Sequence, residues 1–337
     1  MFSEDYFQAR LRFLAGARKT GARLDQLKIA ARGPKGEELT IDIASFGDLR
    51  APKLMIHSSG VHGVEGFVGS AVQIAALEKG IQIPSGLGLI FVHILNPFGM
   101  AWLRRVNENN VDLNRNFLRD DEKYSGPDES YAKLNTTINS DGPKALYLAK
   151  VAAKILTHGF EPMKKVVMQG QYGFPSGLFY GGSRLEEGPS LYKAWLRKHV
   201  GQPERVIVID QHTGLGPWGR ETLFRYGEQV DIGRTVTPMA ANVGYHIGGG
   251  MDSLTPELFG NARTCVHFTS EIGTLGKLPL LNLLRLENQA FQKTRQIGPE
   301  NHALLAGMSP QDQGWRERGL KDGLATYNGG LRWLEER

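Results

Sequence analysis

Two histidines and a glutamate stand at places in this sequence where a folded chain could make them converge. Residues 57–66 read HSSGVHGVEG, which sets His62 and Glu65 three apart on a turn entering a helix, and Asp210-Gln211-His212-Thr213-Gly214 follows a later apolar run. A catalytic zinc site commonly has three protein ligands and one open position, and His, His and Glu is one of the standard sets. A third segment, Thr269-Ser270-Glu271-Ile272-Gly273, adds a carboxylate after another apolar run, a residue type suited to moving protons. The two-residue spacer is weak evidence by itself. His158-Gly-Phe-Glu161 has the same spacing, yet with Gly159 and Pro162 it reads as an ordinary stop after the helical stretch ALYLAKVAAKILT. Plainer readings stay open for the others: a loop histidine at 62, an acid at 65 favoured by a helix N-terminus, and a surface or ion-paired acid at 271.

The elements that must position these residues follow from hydrophobic periodicity. Short apolar runs at 54–56, 87–95, 166–168, 206–209 and 266–269 read as buried strands, and amphipathic stretches near 4–18, 67–79, 143–157, 189–199, 231–243 and 279–296 read as helices. In the second of these, Val68, Ala71, Val72, Ala75 and Ala76 share one face. Residues 27–46, with GPKGEE in the middle, read as an antiparallel hairpin before the first core strand. Strands alternating with helices predict one α/β domain over 1–337, with a mixed, mostly parallel central sheet, helices on both faces, and the N-terminal helix and hairpin (1–50) as part of it. In such sheets ligands bind beyond the carboxyl ends of the strands, where the three candidate segments fall.

Composition narrows the function classes. Of 337 residues 41% are hydrophobic and 22% charged, which suits a chain with a packed core. The net charge of +5 is carried in scattered doublets (Arg104-Arg105, Lys164-Lys165, Arg197-Lys198) without a basic stripe, so no nucleic-acid partner is expected. No uncharged apolar stretch approaches the ~18 residues of a membrane span. The N-terminal residues, with Glu4, Asp5, Arg10 and Arg12, do not form a signal-peptide pattern. The lone Cys265 sits in the apolar stretch Cys265-Val266-His267-Phe268 and reads as a structural thiol. A cytoplasmic protein without membrane contact is the expectation. The glycines at 63, 66 and 69 do not have the spacing of a dinucleotide fingerprint, and no G-x-S-x-G motif of a serine hydrolase occurs.

Between the candidate segments lies NPFGMAWLRRVNENNVDLNRNF. HGVE at 62–65, the turn Asn96-Pro97-Phe98-Gly99, DLNRNF at 112–117, His212 after an apolar strand and Glu271 near a later strand end occur in that order. In this combination the chain resembles the zinc carboxypeptidases (funnelins), and more closely a bacterial branch of that family. The resemblance implies one zinc ion held by His62, Glu65 and His212, with Glu271 as general base and proton shuttle. It also implies Arg105 as the group polarising the scissile carbonyl, with Arg104 as the competing assignment, and Asn114 and Arg115 as the grip on a free substrate carboxylate. Asp112 would fix the ring of His62. GYHIGGGMDSL resembles the family's flexible tyrosine loop, which would make Tyr245 a substrate-side donor and put Met251 against the substrate side chain. The implied activity is hydrolysis of an amide or peptide bond beside a free carboxylate, on a small peptide. Gly66 and Phe98 depart from digestive-type members. His-Gly-x-Glu is shared with deacylases of N-acyl amino acids, such as aspartoacylase and succinylglutamate desuccinylase, which carry a β-rich lid after the catalytic Glu; no strand-rich pattern follows Glu271 here. A metal-free binding protein of the same fold is the alternative from another class.

Overall fold

The computed structural model describes residues 1–126, 129–238 and 248–336. One eight-stranded mixed sheet organises them, built from β1 (Arg23–Arg32), β2 (Glu38–Gly47), β3 (Lys53–Ser59), β4 (Leu87–His93), β5 (Arg205–Gly214), β6 (Glu221–Gly227), β7 (Val236–Pro238) and β8 (Thr264–Gly273) in the spatial order β1-β2-β4-β3-β5-β8-β6-β7. The central neighbours β4, β3, β5 and β8 run parallel, and the antiparallel hairpin β1–β2 flanks one side as the sequence predicts.

Period-two alternation sorts the strand side chains into two cores. Met55, Ile207 and Ile209 face Phe13, Val72, Leu77 and Tyr327 from helices Tyr6–Lys19, Gly66–Lys79 and Gln313–Glu335. Their neighbours Leu54, Ile56, Val206 and Val208 face Tyr192, Trp195 and Leu196 of helix Glu187–His199 on the opposite side. A third cluster lies beyond the carboxyl ends of the strands: Val64 packs with Tyr131, Met163, Val167, Phe179, Leu280, Leu284 and Leu304, contributed largely by helices Glu129–Ile138, Phe160–Gln169, Lys277–Thr294 and Pro299–Met308. No helix of the described residues is long and apolar enough to cross a membrane.

Two expected elements are corrected. The run Val166-Val167-Met168 lies in helix Phe160–Gln169, where Met163 and Val167 are buried; a helix's i, i+4 spacing, not a strand's, brings them together. The helix expected at 231–243 is absent from its described part. Gly233 has φ +70°, and Val236–Pro238 pair parallel with Leu223–Arg225 as a short edge strand, an assignment that suits the β-branched residues and places the proline at a sheet edge. Residues 239–243 of that stretch lie outside the described residues.

Candidate metal centre and active site

The chain leaves β3 at Ser59, turns through Gly60, and forms a short 3-10 turn Gly63–Glu65 that leads directly into helix Gly66–Lys79. Backbone contacts lock this turn to the Arg104-Arg105 segment: the Gly63 amide donates to Arg105 O (3.2 Å) and the Val64 amide to Arg104 O (2.8 Å). Asn96 ties the same parts from the other side, accepting from the Gly99 amide (2.8 Å) and donating through Nδ2 to Arg105 O (3.2 Å). A Cβ at residue 63 would come within 2.1 Å of the Gly99 carbonyl carbon, so only glycine fits there. HGVE, the Asn-Pro turn and the arginine pair are thus one packed unit. His212 comes from β5, and the parallel register sets it beside Glu271 of β8.

His62, Glu65 and His212 are buried and offer ligand atoms that all lie within 4.8 Å of one another. Both rings present Nδ1 to Glu65: His62 Nδ1 lies 3.1 Å from Oε1 and His212 Nδ1 lies 3.3 Å from Oε2. Both rings donate Nε2–H outward to an aspartate, His62 to Asp112 (2.9 Å) and His212 to Asp210 (2.5 Å). These carboxylates orient both rings so that each Nδ1 is aimed at the centre, where it would serve a metal once it carries no proton. His62 Nδ1 is buried and makes no hydrogen bond among the described residues. The donor set therefore fits zinc: two imidazole nitrogens, a carboxylate, and an orphaned buried nitrogen that a cation would satisfy.

Charge points the same way. Glu65, Asp112, Asp210 and Glu271 bring four carboxylates against the two guanidinium groups of Arg105 and Arg115, so carboxylates outnumber the arginines where a divalent cation would sit. Burial alone would raise the Glu65 carboxyl, but His62 and Arg105 pull it below the usual carboxylate range. Asp112 is lowered likewise, with Arg105 and His62 outweighing burial. Asp210 overrides the desolvation of His212 and holds that imidazole well above its ordinary value. Glu271 moves the other way. Burial raises it, with Glu65 adding repulsion, while His212 and the Leu215 amide, 3.3 Å from Oε2, oppose the rise.

The two arginines have separate places. Arg105 reaches the site, bonding Glu65 Oε1 through Nη1 and Asp112 Oδ2 through Nε (3.3 Å). Arg104 points away into the protein, where it is fully buried against Glu287 (2.6 Å), Asn110 and Asn288, over the ring of Phe291. Asn114 accepts the Met251 amide at Oδ1 (2.8 Å), and Arg115 is buried with Nε on Met168 O (3.0 Å) and Nη1 on Asn114 O (2.6 Å). Met251 lies in the core cluster containing Val111 and Leu113. Tyr245 lies outside the described residues. His158 is exposed at its helix end beside Thr157, and His62, Glu65 and His212 form the one group of metal-type ligands among the described residues.

Two residues escaped the sequence reading. Asp210 holds His212, and the signal was available: residues i and i+2 of a strand share a face. Asp252, beside Met251, has its carboxyl raised to about 7 by burial, with Arg115 opposing the rise; nothing in its local sequence marks it.

Residues 2–322 match the family model described as "Protein of unknown function (DUF2817)", and the chain belongs to that family. No curated protein matches the sequence. Among solved structures, bovine thrombin-activatable fibrinolysis inhibitor, in complex with tick carboxypeptidase inhibitor, superposes with a TM-score of 0.52 at 11% identity, over 100% of this chain and 98% of that one. Carboxypeptidase A from Helicoverpa armigera is also similar (TM-score 0.48, 12% identity, 99% of this chain and 75% of that one). The fold is that of the zinc carboxypeptidases, as the motifs led one to expect.

Proposed function

We propose that this protein is a zinc-dependent hydrolase of an amide or peptide bond next to a free carboxylate, acting on small peptides or N-acyl amino acids in the manner of a carboxypeptidase. The observation that carries the reading is the convergence of both Nδ1 atoms on Glu65 while an aspartate holds each ring from behind. His62, Glu65 and His212 would hold one zinc ion, which when bound lowers the pKa of a water toward ~7 and polarises a carbonyl.

The protein's own groups do the rest. Glu271, with its carboxyl raised by burial, accepts a proton from the attacking water and hands it to the leaving nitrogen, so one carboxylate serves as base and then as acid. Arg105, its charge secured by Asp112 and Glu65, stabilises the oxygen that becomes negative as the carbonyl is attacked. Asn114 offers its amide NH2, since Oδ1 already serves Met251, and with Arg115 it receives the substrate carboxylate. Tyr245 is a donor on the substrate side, and Met251 sets an apolar environment for the substrate side chain. Cytoplasmic location goes with this reading.

An N-acyl amino acid deacylase is the second reading, favoured by the His-Gly-x-Glu form of residues 62–65, which such deacylases share. The test uses zinc-loaded protein and an N-blocked dipeptide with an apolar C-terminal residue. The free acid should be cleaved at least about tenfold better than its C-terminal amide, since a charge-assisted hydrogen bond contributes about 1.5–3 kcal/mol, and faster than N-acetyl or N-succinyl amino acids. Faster cleavage of the small N-acyl compounds moves the assignment to the deacylase, and indifference to amidation removes the carboxylate grip.

A further inference from the structure

A cleft of about 660 Å³ opens at the β6–β7 edge of the sheet, lined by Arg225, Gln229, Val230, Asp231, Arg234 and Val236. That volume lies within the range of small-molecule sites. Arg225 comes from β6, where it lies between Phe268 of β8 and Pro238 of β7; the other residues come from the loop joining β6 to β7 and from β7 itself. Strand side chains alternate between faces. Arg225 therefore shares a face with Leu223, which packs in the core cluster with Tyr327 and Leu334 of helix Gln313–Glu335. Glu271 stands three residues beyond Phe268 on β8 and so faces the other way. The cleft is a separate place from the metal centre.

The loop that lines it is fixed before any ligand arrives. Val230 and Ile232 are buried in that same core cluster, and a Cβ at Gly329 would come within 2.3 Å of the Ile232 carbonyl oxygen, so the loop sits tightly on the helix. Asp231 Oδ1 accepts the Gly233 amide (2.8 Å). The two arginines differ in what they already hold. Arg234 is spent on Glu221 (2.6 Å) and Asp322 (3.1 Å). Arg225 has a buried Nε without a hydrogen bond, and it forms no ion pair among the described residues. A buried donor left unmet is costly, and an oxygen of a ligand would meet it.

The lining thus offers one uncommitted guanidinium, one carboxylate without an ion-pair partner, and the valine side chains of 230 and 236. A guanidinium fork suits a carboxylate. Asp231 would repel a phosphate dianion but attract an ammonium group. We propose that this cleft binds a free amino acid with an apolar side chain, its carboxylate on Arg225, its ammonium group toward Asp231 and its side chain against Val230 and Val236. The binding site stands without the hydrolase reading; that such an amino acid is also a product of the reaction rests on it.

The experiment follows hydrogen exchange of the peptide spanning residues 223–238 in zinc-equilibrated protein during titration with L-leucine, L-leucinamide, 4-methylpentanoate or inorganic phosphate. This readout is local and needs no turnover, so it is independent of whether the protein cleaves any amide. L-leucine should slow exchange in this peptide. The amide, which lacks the carboxylate, and 4-methylpentanoate, which lacks the ammonium group, should each bind at least about tenfold more weakly, as a lost charge-assisted hydrogen bond implies. Arg225→Gln removes the guanidinium without breaking a described hydrogen bond and should weaken leucine binding by at least about tenfold. Asp231→Asn keeps the oxygen that holds the Gly233 amide, should weaken leucine binding likewise, and should leave 4-methylpentanoate unaffected; it keeps the test decisive if the Arg225 variant does not fold. The inference is overturned if leucine leaves exchange in 223–238 unchanged, if either variant binds leucine as wild type does, or if phosphate binds as tightly as leucine, which would make the cleft a general anion site.

Discussion

In the proposed hydrolysis Glu271 would carry the heaviest chemical demand, because the same carboxylate would have to take a proton and return it. Its neighbours on β5 and β8 set it beside His212, and burial raises its carboxyl, the direction that favours a general base working near neutral pH. Glu271→Gln keeps the volume and the contact with the Leu215 amide but cannot accept the proton. Turnover should fall by about two to four orders of magnitude while zinc content stays at the wild-type level; a variant with near-normal turnover would take Glu271 out of the chemistry. At this scale the sequence spoke clearly where a short motif carried the residue. HGVE put His62 and Glu65 on one turn, and the resemblance supplied His212, Glu271 and Asp112. It left Arg104 and Arg105 undecided, because adjacent residues differ only in the direction of their side chains, and that direction depends on Glu287 and Asn288 far along the chain.

The elements explain why those directions are fixed. Arg104 joins the loop after Pro97–Ala101 to helix Lys277–Thr294 through a pair in which both partners are almost completely buried. Removing one member of such a pair leaves the other charged and unpartnered, which typically costs about 3–5 kcal/mol. Arg104→Ala should lower the urea unfolding free energy by about that amount; an unchanged midpoint would contradict the structural role. Helix Gly66–Lys79 is held to the sheet by buried polar side chains as well as by apolar ones: Gln73 donates to His57 and Val92 carbonyls, and Ser70 pairs with His93. Burial lowers His57 to about 4 and His93 to about 3. An unfolded histidine protonates near 6.5, so the unfolded state binds protons first as the pH drops. Stability is therefore complete above about pH 6.5 and is lost as the pH falls toward those folded values, by about 1.4 kcal/mol per pH unit for each histidine. His93→Gln, destabilised at pH 7.5, should close its gap to wild type at that rate below pH 6.5; a constant gap would show that His93 is not neutral in the fold. The parallel strands were legible because they are continuous apolar runs. Helix Gln313–Glu335 was not, since Gly319, Gly323, Gly329 and Gly330 argue locally against a helix. Packing reverses that preference: a Cβ at Gly323 would come within 2.6 Å of Val72 on helix Gly66–Lys79, so the two helices approach through a side that bears no side chain.

Across the whole molecule, the fold brings the turn after β3, the ends of β5 and β8 and the Asp112 loop to one end of the sheet, where four carboxylates and two histidines meet. A zinc ion bound there links segments that stand far apart in sequence, so it should stabilise the entire fold. At a free zinc concentration of 1,000 times its dissociation constant the gain is about 4.1 kcal/mol. The central claim is that His62, Glu65 and His212 form the zinc site of a zinc hydrolase. Its most direct test is metal analysis of the purified, zinc-equilibrated wild type alongside His212→Ala and His158→Ala. The wild type and the His158 variant should each hold one zinc per chain, and the His212 variant should lose tight binding; zinc lost from the His158 variant alone, or retained by the His212 variant, would contradict the account.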